Sequence, residues 1–230
     1  MKIKETAVNT RGSLQQGIYC VINPFVHLLI KMGVTPNMVT TIGLLGNLAA
    51  AAVLVWAGYD FTQTQVVDWG LLTLAGALII GFSLFDMLDG QVARLGNMAS
   101  TFGAMYDSVL DRYCELATLG AVSYFLIQVG HTVGALVTFL ALVGSIMVSY
   151  VRARAEGLGI ECKIGFLQRP ERVVITSAAV LATGISGQCD VHFDSSLILI
   201  AAMAFIALFA NLTAFARVSH SKKALKAKGK

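Results

Sequence analysis

Charge is what this sequence has least of: Asp, Glu, Lys and Arg make up 13% of its 230 residues against 56% hydrophobic ones, and the mean hydropathy is +0.73. Too little polar surface remains to cover a water-soluble globule, so lipid is the expected solvent. The four cysteines, Cys20, Cys114, Cys162 and Cys189, lie far apart and include no CxxC pair, which excludes a disulfide framework or a cysteine zinc site. The stretch before the first long apolar run, near Val39, is too polar and too long to be a signal peptide's basic start, so the membrane segments are expected to be permanent. Neither aromatic-interleaved basic runs nor a nucleic-acid motif accompanies the net charge of +4, which excludes nucleic acid as a partner and leaves charge as a reporter of topology.

What is present is a series of apolar runs. A hydrocarbon core about 30 Å thick takes roughly 20 helical residues to cross, and six stretches approach that length: 39–58, 70–92, 101–128, 132–153, 173–186 and 195–216. The expected fold is therefore an all-α membrane protein of six transmembrane helices. Lys and Arg accumulate in cytoplasmic connections. Here Lys2, Lys4, Arg11 and Lys31 precede the first stretch, Arg94 follows the second, and Arg152, Arg154, Lys163, Arg169 and Arg172 follow the fourth; Arg217 and the lysines of 222–230 follow the sixth. The alternate connections carry Asp60, Asp68, Asp190 and Asp194 without Lys or Arg. Both termini are thus expected in the cytoplasm. Residues 1–38 read as a cytoplasmic region with an interfacial amphipathic helix, its apolar positions including Ile18, Val21, Ile22, Phe25 and Leu29. Residues 39–217 form the membrane domain, and 218–230 a solvated basic tail weakly attracted to anionic headgroups. Thr35 followed by Pro36 suits the start of the first membrane helix.

The chemistry is concentrated in the stretch Phe85-Asp86-Met87-Leu88-Asp89-Gly90-Gln91-Val92-Ala93-Arg94 and in Gly103-Ala104-Met105-Tyr106-Asp107-Ser108-Val109-Leu110-Asp111. A carboxylate at membrane depth costs roughly 2.5 to 3.5 kcal/mol on insertion scales, so several together imply partners or a purpose. Asp86 and Asp89 are three apart, Asp107 and Asp111 four apart, and each pair shares a helix face. The short connection with Gly96, Asn97 and Ser100 makes the two helices a hairpin that presents both pairs near the cytoplasmic end. Four crowded carboxylates would take up protons unless cations sat between them, and hard divalent ions favour oxygen ligands; one or two Mg²⁺ or Mn²⁺ ions are inferred, two being the expectation. Simple pairing with Arg94 and Arg112 leaves carboxylates in excess. Gly90 and Gly103 leave room for a ligand or for close helix packing, and Arg94 supplies a fork for phosphate oxygens.

The pattern Asp-x2-Asp-Gly-x2-Ala-Arg-x8-Gly-x3-Asp-x3-Asp resembles the signature of the CDP-alcohol phosphotransferases, with every signature residue present. The resemblance implies a six-helix bundle, usually dimeric, with a polar cavity open to the cytoplasm and to lipid. It implies metal ligation by Asp86, Asp89 and Asp107, with Asp111 near the metals and acting as general base, and contact of Gly90 and Arg94 with the CDP moiety of CDP-diacylglycerol. The Thr35-Pro36-Asn37-x2-Thr40 segment resembles the family's stretch at the start of its first span, making Asn37 and Thr40 candidates for nucleotide contact alongside a plain helix-cap role.

The connection from Ser149 to Arg172 is unusually basic. Cytoplasmic retention alone explains part of this, but Arg152, Arg172 and Arg217 stand at the membrane edge of three different helices, where convergence would build an anion pocket. The stretch resembles the corresponding loop of phosphatidylinositol-phosphate synthases, which implies those three arginines as acceptor-phosphate ligands and inositol 1-phosphate as acceptor. Lysine is usual in the subfamily where Arg152 stands, and the match at Arg217 is the weaker one. Arg154, Glu156, Arg169 and Glu171 are expected to pair among themselves. Glycerol 3-phosphate, and so a phosphatidylglycerophosphate synthase, is the alternative; serine or unphosphorylated inositol would leave the arginines without a partner. A metal or proton transporter is the reading from another class, against which stand the one-sided position of the aspartates and the lack of a second motif copy. His27, His131, His192 and His220 are dispersed and read as loop or interface residues, and Trp56 and Trp69 as interfacial anchors.

Overall fold

The computed structural model describes residues 22–189 and 193–228. These residues form helices α1 (22–31), α2 (Pro36–Thr64), α3 (Trp69–Ser83), α4 (Phe85–Leu95), α5 (Thr101–Gln128), α6 (Thr132–Gly157), α7 (Arg169–Gln188) and α8 (Ser196–Ala227). The part of the expected interfacial helix before residue 22 lies outside the described residues. The described residues divide into two compact units, one of residues 22–43 with 84–110, the other of residues 44–83 with 111–189 and 193–228.

In the first unit, α4 has its apolar positions Phe85, Leu88 and Val92 at helical spacing, and they pack with Val26 of α1 and Val39 of α2 into a small core. The acidic positions Asp86 and Asp89 follow each of the first two apolar ones by one residue, about 100° round the helix, so they leave that core by its side. α2 starts at Pro36 as expected, with the Thr35 hydroxyl accepting from the Met38 amide at 3.4 Å. The turn from α4 into α5 runs through Asn97, whose φ of 52° suits an asparagine, and ends on Ser100, whose hydroxyl accepts from the Gly103 amide at 2.9 Å and so caps α5.

The stretch expected as one helix over 70–92 is two, α3 and α4, interrupted at Leu84 although that residue keeps helical angles. The two halves answer to different cores. α3 buries Leu72, Ala75, Gly76 and Ile79 in the second unit, whereas α4 buries Leu88 and Val92 in the first.

In the second unit α3 packs on α7, and α8 on α6 and α7, through small residues that let backbones approach. A Cβ on Gly184 of α7 would lie 2.4 Å from the Thr73 backbone nitrogen, and one on Gly76 of α3 2.6 Å from that of Leu181. Gly184→Ala is therefore expected to push α3 and α7 apart and to destabilise by about 1–3 kcal/mol, the usual cost of overpacking, read as a lower thermal midpoint in detergent. The Asn211 side chain of α8 donates to the Leu140 carbonyl of α6 at 3.1 Å.

Four helical stretches are long and apolar enough to cross a membrane by length and composition: Pro36–Thr64, Trp69–Leu95, Thr132–Gly157 and Ser196–Ala227. They match the first, second, fourth and sixth of the expected spans, the sixth from Ser196 on. α5 and α7 have 28 and 20 residues, about 42 and 30 Å of helix; α5 carries Asp107, Asp111, Arg112 and Glu115, and α7 begins with Arg169, Glu171 and Arg172. In the segment expected as a solvated tail, residues 218–227 continue α8 to Ala227. Its end is fastened, with Lys228 Nζ donating to the Gly159 carbonyl at 2.7 Å.

Candidate active site

In the first unit, Asn37 and Thr40 from α2, Asp89, Gly90 and Ala93 from α4, and Gly103 and Asp107 from α5 line one cavity of about 230 Å³. The structure thus brings together five of the sequence-derived site residues: Asn37, Thr40, Asp89, Gly90 and Asp107. Asp89 is buried, and the Thr40 hydroxyl lies 2.7 Å from its Oδ2. That hydroxyl is also 3.1 Å from the Pro36 carbonyl, but it has one proton, and the shorter, charge-assisted contact is the stronger. Thr35 rather than Asn37 or Thr40 caps α2, which leaves Thr40 to the carboxylate. The charges of Asp107 and Asp86 both act on Asp89, so three carboxylates of this unit share one neighbourhood. The Thr41 and Tyr106 hydroxyls, 3.0 Å apart, tie α2 to α5.

The two glycines differ. A Cβ on Gly90 would meet only the Arg94 Nη2 at 3.8 Å, so that position opens onto the cavity. One on Gly103 would stand 3.0 Å from the Ser100 hydroxyl and 3.3 Å from Asn37 Oδ1, so Gly103 also serves close packing.

Among the described residues, no three His, Cys, Asp or Glu side chains are already drawn together tightly enough to hold a metal ion. The oxygen donors of the lining nevertheless fit a hard divalent cation: the carboxylates of Asp89 and Asp107, the hydroxyls of Thr40 and Ser100 and the amide of Asn37, beside a glycine that presents no side chain.

Asp111 belongs to the second unit, one helical turn beyond Asp107 along α5. It accepts from Arg169 Nη2 at 2.7 Å, with Arg112 Nη1 at 3.8 Å. Arg169 thus has a partner beyond its loop neighbours. Arg169 opens α7 and its long side chain reaches the α5 carboxylate, while Glu156 is taken by Arg152 at 2.8 Å, one turn away on α6. Arg172 is 2% exposed and holds Glu115 with two parallel bonds, Nε to Oε1 at 2.7 Å and Nη2 to Oε2 at 3.0 Å, and Nη1 bonds the Leu167 carbonyl at 3.3 Å. Arg217 is equally buried and donates to the carbonyls of Ile164 (2.8 Å) and Val148 (2.6 Å). Arg152 and Arg172 stand near enough for their charges to act on Arg217, but each of the three arginines is engaged by its own protein partners. A cavity of about 30 Å³ beside Glu115 and Arg172, lined also by Asn47, Ser83, Thr118 and Thr176, has room for water.

Glu115 escaped the reading of the sequence. The signal was there, since 107, 111 and 115 continue one face of α5 at four-residue steps. Its partner, 57 residues away, was not visible from that spacing.

Four membrane-length apolar helices, with an acidic cavity in one unit and a buried ionic network in the other, define an integral membrane protein with polar sites. Residues 33–218 match the CDP-alcohol phosphatidyltransferase family, and the chain belongs to it. The protein is therefore a transferase, and the transporter reading is set aside. It is 32% identical over 189 residues to a phosphatidylinositol phosphate synthase of Mycobacteroides abscessus, covering 81% of this chain and 80% of that one. It is 38% identical over 143 residues to an archaetidylinositol phosphate synthase of Methanothermobacter thermautotrophicus, covering 60% and 68%. The crystal structure of the Mycobacterium tuberculosis phosphatidylinositol phosphate synthase with CDP-DAG bound is similar with a TM-score of 0.73 at 28% identity, covering 86% of this chain and 92% of that one. That enzyme in complex with manganese and citrate gives 0.73 at 29%, covering 86% and 87%.

Proposed function

We propose that the chain transfers the phosphatidyl group of CDP-diacylglycerol to inositol 1-phosphate, forming phosphatidylinositol phosphate and releasing CMP. The observation that carries the donor half is the cavity where Asp89 and Asp107 meet Asn37, Thr40 and Gly90. Asn37, Thr40, Asp86, Gly90 and Arg94 bind the CDP moiety, and the diacylglycerol tails stay in the bilayer. Asp86, Asp89, Asp107 and Asp111 would hold one or two Mg²⁺ or Mn²⁺ ions, which when bound neutralise charge on the pyrophosphate and on departing CMP. Asp111 takes the proton from the attacking hydroxyl as that oxygen approaches the lipid-side phosphorus.

Arg152, Arg172 and Arg217 bind the acceptor phosphate. A guanidinium has five N–H donors; among the described residues Arg172 bonds through three and Arg217 through two, which leaves donors on both for an incoming phosphate. The naming of several relatives as phosphatidylinositol phosphate synthases supports inositol 1-phosphate over glycerol 3-phosphate. The enzyme works as a homodimer at the cytoplasmic face of the inner membrane. Residues 39–217 form a six-span membrane domain with α5 and α7 as the charged spans, both termini are cytoplasmic, and an interfacial helix lies within residues 1–38.

The test offers radiolabelled CDP-diacylglycerol with inositol 1-phosphate, glycerol 3-phosphate, inositol and serine in parallel. Labelled phosphatidylinositol phosphate is expected from the first, and none once the divalent ions are chelated. Product from glycerol 3-phosphate alone would reassign the acceptor, and full turnover by metal-stripped protein would overturn the mechanism. Gly90→Leu should keep the thermal midpoint, because leucine is a good helix former and the cavity receives its side chain. It should raise the KM for CDP-diacylglycerol by about tenfold, as the displaced ligand must overpack.

A further inference from the structure

We infer that the groove between the ends of α6 and α8 is a binding site for one anionic phospholipid, separate from the acidic cavity and independent of the acceptor assigned above. The groove encloses about 600 Å³, with Val151 on its α6 side and Val218 and Leu225 on its α8 side, and it is bordered by Arg154, Lys222 and Lys226. Both helices are membrane-length and apolar over most of their course, and these residues occupy their basic ends.

Charge and rigidity together point to the ligand. The nearby carboxylates are already committed, Glu156 to Arg152 and Glu161 to Lys163, and among the described residues none pairs with Arg154, Lys222 or Lys226. Three uncompensated cations around an apolar floor suit a phosphate and an acyl chain in one molecule, and basic pockets between helices at a membrane surface favour anionic headgroups. The lysines are not on a loose tail. Lys222 and Lys226 stand one turn apart on α8, and Ala224 and Leu225 of the same turns pack against Ala155, Ile160 and Cys162. Lys228 is bonded to the Gly159 carbonyl and His220 lies 3.2 Å from that of Glu161. A site held in place beforehand loses little freedom on binding. A second copy of this chain is the wrong occupant: a two-fold contact would bring the patch against itself and face three unpaired cations with three more.

The experiment is native mass spectrometry of the full chain in a neutral detergent, titrated with phosphatidylglycerol and with phosphatidylcholine of the same chains. Wild type should retain one phosphatidylglycerol in preference to phosphatidylcholine. The variant Arg154→Ala/Lys222→Ala/Lys226→Ala should lose about a hundredfold in that affinity, about fivefold per cation, while its thermal midpoint and turnover stay those of wild type. Soluble glycerol 3-phosphate should not displace the lipid; displacement would mean a plain phosphate site. Equal retention of the two lipids, or unchanged binding by the triple variant, would overturn the proposal. So would a Val218→Cys disulfide between copies that forms equally well with phosphatidylglycerol present, which would hand the groove to a dimer.

Discussion

Asp111→Asn is expected to lower CMP release from CDP-diacylglycerol by about 10²–10⁴-fold, the range that a general base contributes, while metal-dependent nucleotide binding largely survives. The substitution keeps the shape of the side chain but removes its negative charge, and with it the basic oxygen and the charge that pairs with Arg169 and Arg112. Arg169 donates to Asp111 Oδ1 at 2.7 Å, and the amide oxygen of asparagine can accept the same bond. Turnover is read as CMP production with inositol 1-phosphate, and binding by calorimetry with the nucleotide and Mn²⁺. A variant that melts early or no longer binds nucleotide would show that the lost turnover reports the structure or the ion that Asp111 also helps to hold, and the assignment as base would fall.

Glu115→Ala should destabilise the protein by about 3–5 kcal/mol, the cost of leaving a buried charge without its partner. Arg172 and Glu115 have side-chain exposures of only 2% and 6%, and the pair is bidentate. For a chain of this length the thermal midpoint should drop by roughly 6–20 °C in detergent. The pair as a whole is a different matter from either half. Its members were desolvated at a cost close to their attraction, so Glu115→Leu/Arg172→Met should recover most of the lost stability. Single and double variants with the same midpoint as wild type would show that the pair is solvated and carries no structural energy.

Much of the acidic cavity was legible in the sequence because its parts are close together in the chain. Asp86, Asp89 and Gly90 share one short helix, Asp107 lies in the next, and the turn through Asn97 and Ser100 is read from residue types that favour left-handed angles and helix starts. Asn37 and Thr40 needed the resemblance to be suspected, since the contact of Thr40 with Asp89 spans 49 residues. The basic residues were harder. Which carboxylate of α5 Arg169 or Arg172 reaches depends on how α5 and α7 pack, and proximity in sequence did not point to Asp111 or Glu115. Hydropathy likewise anticipated that residues 70–92 would be helical but not that Leu84 divides them, because the division reflects which core each half packs into.

Local periodicity and solvation are the two things the sequence determined by itself. Low charge makes lipid the solvent, apolar runs of membrane length become helices, and carboxylates at three- and four-residue spacing share a face whatever the helix packs against. The tertiary structure alone decided the long-range ion pairs, the burial of Glu115, and the groove at the end of α8. Those depend on which side chains from distant segments arrive at the same place, and a charge leaving water settles on the nearest opposite charge in space rather than in sequence.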